Sequence, residues 1–213
     1  MSCVLTPARR KLFEKATKFC VKVTNSKEGS GTGIVLDKRG YVLTAWHVLE
    51  GAANACSVRR FYLPQKGSKP KPTGRLFAAD RIFFDNSLDI AVIKMRRPPK
   101  DLVVAELGDS NALTIGSSLY HVGIGITPHL VCGYLFELFE RKGVKFFMVG
   151  LYTPDGSSGG PFVNTEGKVM GIEIEGSTDP LLADWESALL INQVKEVLLR
   201  QEDCPQLHEI VTG

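Results

Sequence analysis

The stretch Asp155-Gly156-Ser157-Ser158-Gly159-Gly160-Pro161-Phe162-Val163-Asn164 places a glycine-rich turn directly before an apolar run. Gly156, Gly159 and Gly160 relax the backbone on both sides of Ser158. A tight turn of this kind pushes one hydroxyl outward while neighbouring N–H groups point at the same spot. Phe162 and Val163 then feed a buried strand. A reactive serine needs a base to take its proton and donors to hold a developing oxyanion. The turn supplies donors, the N–H groups of Gly156 and Ser158. The base must come from elsewhere.

Two upstream segments offer it. Thr44-Ala45-Trp46-His47-Val48-Leu49 sets a histidine after a strand-like run, and Leu88-Asp89-Ile90-Ala91-Val92-Ile93 sets an acid at the mouth of another. TAWHVL, DIAVIK and GSSGGP, in that order, resemble the His, Asp and Ser boxes of trypsin-like serine proteases. In particular they resemble the protease domain of the HtrA (Do-like) family. The likeness extends through GTGIVLDKRGYVLTAWHVLEGA (Gly31 to Ala52), LGDSNALTIGSSL (Leu107 to Leu119) and INQVKEVL (Ile191 to Leu198). It therefore runs from about Lys18 to Arg200. Several ordered motifs are far more specific than one isolated serine string.

The resemblance implies an all-β, chymotrypsin-like fold: two six-stranded antiparallel β-barrels with short N-terminal and C-terminal helices. The expected division is an N-terminal helical segment over 1–18 and a first barrel over 19–107 carrying the His and Asp. A second barrel over 108–191 carries the Ser and oxyanion hole, and a helix and tail fill 192–213. Ser158 is the expected nucleophile and His47 the base. Asp89 fixes the imidazole tautomer and stabilises the imidazolium. Asp85 is the fallback acid, because DNSLD holds two. Gly156, Ser157 and Ser158 form the expected oxyanion hole. By alignment to the family, Tyr152 falls near the base of the primary specificity pocket. Ile172, Glu173 and Ile174, within GIEIEG, form its wall and the edge strand that pairs with substrate backbone. A neutral or small hydrophobic side chain is the expected cleavage-site residue, with Glu173 arguing for a basic one. Ser157 departs from the Asp of trypsin-like enzymes and the Asn of HtrA proteins. Asp155 places a carboxylate beside a developing negative charge.

Composition sets the outer bounds. At 213 residues with 44% hydrophobic content, the chain has ample material for a core in one or two compact domains. There is no apolar run long enough for a membrane helix, and MSCVLTPARRKLFEKATKF lacks a secretory leader's apolar stretch. An intracellular location follows as the expectation. The five cysteines, Cys3, Cys20, Cys56, Cys132 and Cys204, have no metal spacing and read as reduced thiols. His121, His129 and Cys132 lack the fourth partner of a metal site and read as structural. No cofactor and no metal is expected. A net charge of +3 does not by itself indicate nucleic acid or membrane. Protein or peptide substrates are the expected partners, acting on a monomer or a trimer.

Along the chain, Ala8, Leu12 and Ala16 share one face of an N-terminal helix. Strands are predicted at Phe19–Thr24, Ile34–Leu36, Tyr41–Leu43, Val58–Leu63, Leu76–Phe84 and Ile90–Met95. A second set is predicted at Leu119–Val122, Val131–Phe139, Val144–Leu151, Pro161–Asn164, Val169–Glu175 and Ala188–Ile191. Asp37-Lys38-Arg39-Gly40 reads as a hairpin with Gly40 at positive φ. Arg59 to Arg75, with six cations, three prolines and no acid, reads as an exposed loop. A docking patch for an acidic partner or nucleic acid is the alternative. Asn192 is the expected N-cap of the C-terminal helix.

Three functions compete. The leading one is a serine endopeptidase working through an acyl-enzyme. The second is a pseudoprotease that binds peptides on the same fold, favoured by Asp155. The third is a viral-type protease that processes its own polyprotein. No IVGG-like segment signals activation by trimming. The roughly 13 residues after the terminal helix are too few for the PDZ domain of HtrA proteins, so peptide-sensing regulation is not expected.

Overall fold

The computed structural model describes residues 6–52, 54–62, 71–176, 185–202 and 204–212. The first barrel is built from β1 (Cys20–Thr24), β2 (Ser30–Val35), β3 (Tyr41–Ala45), β4 (Ala55–Tyr62), β5 (Lys71–Asp85) and β6 (Ile90–Met95). The second uses β7 (Ser118–Ile124), β8 (Pro128–Arg141), β9 (Val144–Gly150), β10 (Pro161–Val163), β11 (Val169–Gly176) and β12 (Trp185–Leu190). Helices α1 (Pro7–Thr17), α2 (Ile191–Leu199) and α3 (Gln206–Thr212) flank them.

Each barrel closes, in the order β1-β2-β3-β6-β5-β4 and β7-β8-β9-β12-β11-β10. The two orders are the same path walked twice, so the halves are topological copies. Closure removes the open edges that invite misassociation. The β2–β3 hairpin turns at Gly40, whose φ of +92° is open to glycine at low cost. Leu36 N–H donates to Tyr41 C=O at 2.8 Å across it.

Small differences from the sequence reading have physical causes. Cys20 is buried along with Phe19, Val21 and Val23, because α1 and the second barrel cover the outer face of β1. Ala8 is exposed, and Leu12, Ala16 and Thr17 carry the buried face of α1. Arg59 and Arg60 lie in β4, and Lys71 to Arg75 in β5, so most of the basic stretch is strand rather than loop. Residues 63–70 lie outside the described residues. Pro72 pairs opposite Phe61 where β5 has only β4 beside it, a place a proline tolerates. Arg60 is held by Asp101 through two bonds of 2.8 and 3.0 Å. Leu190, not Asn192, occupies the N-cap of α2. Asn192 sits in the first turn, where its N–H donates to Ser110 Oγ at 3.1 Å and its amide to Asp109 at 2.7 Å.

The second barrel has its own apolar cluster around Leu119, Leu135, Phe147, Val149 and Phe162, and a larger cluster crosses both barrels. It joins Val21, Ile34, Leu43, Val92 and Ile93 to Val122, Ile124, Phe146, Ile172 and Leu189. A polar seam accompanies it at Thr32 on β2, which is fully buried. Its hydroxyl donates to Gly156 C=O at 2.7 Å and accepts from Ile124 N–H at 2.7 Å. Its own N–H donates to Ser158 C=O at 2.8 Å. The first barrel thus grips the serine turn of the second through backbone and side chain together.

Candidate active site

His47 lies in a short 3-10 turn, Trp46–Val48, that continues directly from β3. Trp46 anchors the turn. It is buried, stacks on Phe84 at 4.3 Å, and lies under the Arg81 guanidinium at 4.8 Å. Asn25 braces the far side by donating to Val48 C=O at 2.8 Å. Asp89 immediately precedes β6, the neighbour of β3, so sheet pairing alone brings the two boxes together.

The Asp89 carboxylate contacts His47 twice. One oxygen bonds ring Nδ1 at 2.6 Å and the other accepts from the His47 N–H at 2.7 Å. The Asp89 carbonyl also accepts from Trp46 N–H at 2.9 Å. Asp89 has φ +53°, an uncommon conformation for a residue with a side chain. That cost is borne where carboxylate and carbonyl must both face one turn. The Asp89 bond raises the His47 pKa, burial works against it, and the Asp89 charge adds to the rise. Asp85, the fallback acid, instead caps its own turn through Ser87 and Leu88 N–H. A cleft of about 350 Å³ opens beside the ring, lined by Trp46, His47, Leu88, Asp89, Phe146 and Ile174 among others.

The serine turn comes from the second barrel and touches the first. Gly159 has φ +81°, and a Cβ there would meet Thr32 O at 2.4 Å, Thr44 Oγ1 at 2.6 Å and Ala45 N at 2.7 Å. Thr44 and Ala45 are the last residues of the strand that carries His47. Ser158 and His47 therefore hang from abutting backbone. Among the described residues, no hydrogen bond joins Ser158 Oγ to His47. Gly156 has φ +86°. Among the described residues, neither the Gly156 nor the Ser158 N–H donates to a backbone carbonyl. Ser157 differs: its N–H donates to Pro154 C=O at 3.2 Å, and its buried hydroxyl donates to the same carbonyl at 2.6 Å.

Beneath the turn lies a buried polar cluster. Tyr152, expected at the base of a pocket, is 61% exposed. Its neighbour Thr153 points inward instead. Thr153 Oγ1 lies 2.6 Å from Glu186 Oε1 and 3.2 Å from Glu173 Oε1, and its N–H donates to Glu186 at 3.0 Å. Glu173 Oε2 stands 2.8 Å from His121 Nε2, a close approach without hydrogen-bond alignment. Burial pushes the Glu186 carboxyl up; the Thr153 hydroxyl opposes this and the Glu173 charge reinforces it. The sequence reading named Glu173 but missed Thr153 and Glu186. An acid at an inward position of β12 was the available signal. Ile172 is buried and paired on both sides, opposite Pro161 and Leu189. Beyond it, the β10 pairing ends and Ile174 falls in a bulge against β12. Residues 177–184, which follow, lie outside the described residues. No group of histidines, cysteines and acids among the described residues is arranged to hold a metal.

The trypsin-like peptidase domain family matches residues 31–172, a span that contains the His, Asp and Ser boxes together. The chain belongs to the trypsin-like peptidase family. It is 30% identical over 154 residues to the putative serine protease HhoA of Synechocystis, covering 68% of this chain and 36% of HhoA. It is 28% identical over 166 residues to chloroplastic Protease Do-like 1 of Arabidopsis thaliana, covering 72% of this chain and 35% of that protein. The chain thus spans about a third of the length of these relatives. The solved structure of the HtrA-type protease AlgW with a decapeptide superposes with a TM-score of 0.71 at 17% identity. That superposition covers 88% of this chain and 66% of the other. It shows the same two-barrel fold. No helix among the described residues is long and apolar enough to cross a membrane.

Proposed function

We propose that this trypsin-like peptidase is a serine endopeptidase whose triad is Ser158, His47 and Asp89. The observation that carries the reading is the double grip of Asp89 on His47, at ring and backbone. It fixes the tautomer with a proton on Nδ1 and leaves Nε2 with the lone pair a base needs. Ser158 Oγ attacks the scissile carbonyl while His47 Nε2 takes its proton. The oxyanion forms against the Gly156 and Ser158 N–H groups, neither of which donates to a backbone carbonyl among the described residues. Ser157 N–H, spent on Pro154, is left out of that hole. His47 returns the proton to the leaving amine, giving an acyl-Ser158 ester, and water repeats the cycle in reverse roles. Substrate backbone pairs along β11 past Ile172 and Glu173, with Ile174 and Trp46 at the cleft wall.

A fluorophosphonate probe tests the reading. Covalent labelling of one serine, lost in Ser158→Ala, is expected, together with casein digestion by the parent chain alone. A folded parent that neither labels nor digests leaves the second reading, a peptide-binding pseudoprotease. The Ser158 hydroxyl's lack of a bond to His47 favours that alternative.

A further inference from the structure

We infer that His129 is a positioning residue for the oxyanion turn, holding it through Ser157. The inference rests on the protease reading above and adds a residue to it. His129 stands on β8 directly opposite Gly123 of β7. Its Nε2 lies 2.9 Å from Ser157 Oγ, and that hydroxyl lies 2.6 Å from Pro154 C=O. The same carbonyl accepts the Ser157 N–H at 3.2 Å. One side chain from the barrel wall therefore holds the Ser157 end of the turn that precedes Ser158, and Ser157 in turn holds Pro154.

A second, independent observation is the space reserved for this contact. A Cβ at Gly123 would stand 2.4 Å from His129 Nε2, 2.6 Å from its Cε1 and 2.8 Å from Ser157 Oγ. Only glycine lets imidazole and hydroxyl meet there. The turn is tied down on either side as well. Thr153 is bonded to Glu186 and Glu173 at its start, and Gly160 packs over His121 at its end. His129 is the only contact to the middle among the described hydrogen bonds of Ser157 that comes from outside the turn. Burial holds the His129 pKa down to about 4, with His121 nearby adding to the fall. A neutral ring therefore faces Ser157 at neutral pH, and the clamp introduces no charge beneath a developing oxyanion.

The function assigned is geometric. Without the clamp, Ser157 keeps its bonds to Pro154 C=O and from Gly160 N–H but loses its tie to the barrel wall, and the Pro154–Ser157 turn loosens. The Gly156 and Ser158 N–H groups then no longer converge on one point. Such a defect falls on kcat, since it concerns a charge present only in the transition state.

The test has two arms. In an active parent, His129→Ala is expected to lower kcat by roughly 10²–10³, the usual loss for one oxyanion donor, with KM held within about threefold. Adding Ser157→Ala to it should cost less than Ser157→Ala costs alone, because the two share the His129–Ser157 contact and only the Ser157 Oγ–Pro154 bond is newly lost. A kcat within twofold of the parent, or fully additive losses, overturns the inference while leaving the protease reading intact. The other arm is independent of catalysis. In a Ser158→Ala background, amide exchange at Ser157 and Gly160 should quicken at least tenfold in His129→Ala. It should return toward the parent in His129→Gln, whose amide reaches the Nε2 position. Unchanged exchange, or equal exchange in both variants, overturns the inference even if the chain hydrolyses nothing. Should His129→Ala not fold, His129→Gln against His129→Leu compares a side chain that can bond Ser157 with one that cannot, and is read in the same way.

Discussion

Thr32 and Ser158, from opposite barrels, are joined by a 2.8 Å bond from the Thr32 N–H to the Ser158 carbonyl. The Thr32 hydroxyl adds Gly156 C=O and Ile124 N–H at 2.7 Å each. Thr32→Val keeps the shape and strands both groups in a dry seam. Each buried polar group left unsatisfied costs about 1–3 kcal/mol. The melting temperature should fall by at least about 3 °C, since ~1 kcal/mol moves a domain of this size by about 2–4 °C. Thermal unfolding by circular dichroism checks it, and an unchanged midpoint would mean the seam is wet.

The pH dependence of hydrolysis should follow His47. Its folded pKa is raised, chiefly by the bond to Asp89, so the acid limb of kcat/KM lies above the ordinary value of about 6.5. Activity is lost as pH falls through that limb, because the base becomes protonated. Asp89→Asn should move the limb to lower pH and cut the rate by roughly 10⁴-fold. The stability contribution of the pair has the opposite sense. It is fully present below pH about 6.5 and fades as pH rises through the higher folded value. A limb that does not move in Asp89→Asn would show that Asp89 is not what sets it.

Gly159→Ala should abolish activity. Its φ of +81° and the three atoms within 2.7 Å of an added Cβ leave no room without parting the two barrels. Fluorophosphonate labelling should vanish, and the melting temperature should fall as well. Retained labelling would mean that the seam opens cheaply.

Asp155→Asn is expected to raise kcat. An exposed carboxylate one residue before Gly156 opposes the oxyanion. Two unit charges 4 Å apart in water repel by about 1 kcal/mol, or about fivefold in rate, and greater distance gives less. The gain should therefore be at most about fivefold and should shrink in high salt. A fall in kcat would assign Asp155 a constructive role.

The His, Asp and Ser boxes were legible because each couples a strand to its turn within a few residues. Strand pairing then delivers His47 to Asp89 without help from distant contacts. The all-β barrel class was legible too, as short apolar runs between turn signals, whereas the likeness of the two halves was only what the family resemblance implied. What stayed hidden depends on contacts between residues far apart in the chain. Thr32 meets Gly156 and His129 meets Ser157 only after both barrels close, and no local pattern marks either pair. Proline signals at 70 and 72 outweighed the strand pattern in β5, because a lone proline where β5 has a single neighbour costs little. Tyr152 is exposed while Thr153, beside it, turns inward to Glu173 and Glu186, a placement no local pattern marks.

The apolar core described above does not stop at the boundary between the barrels. Parting the barrels breaks that shared cluster, so neither half keeps its full apolar packing alone. Nucleophile and base come from opposite sides of it, so residual activity during denaturation reports the fraction of molecules in which the two barrels are still joined.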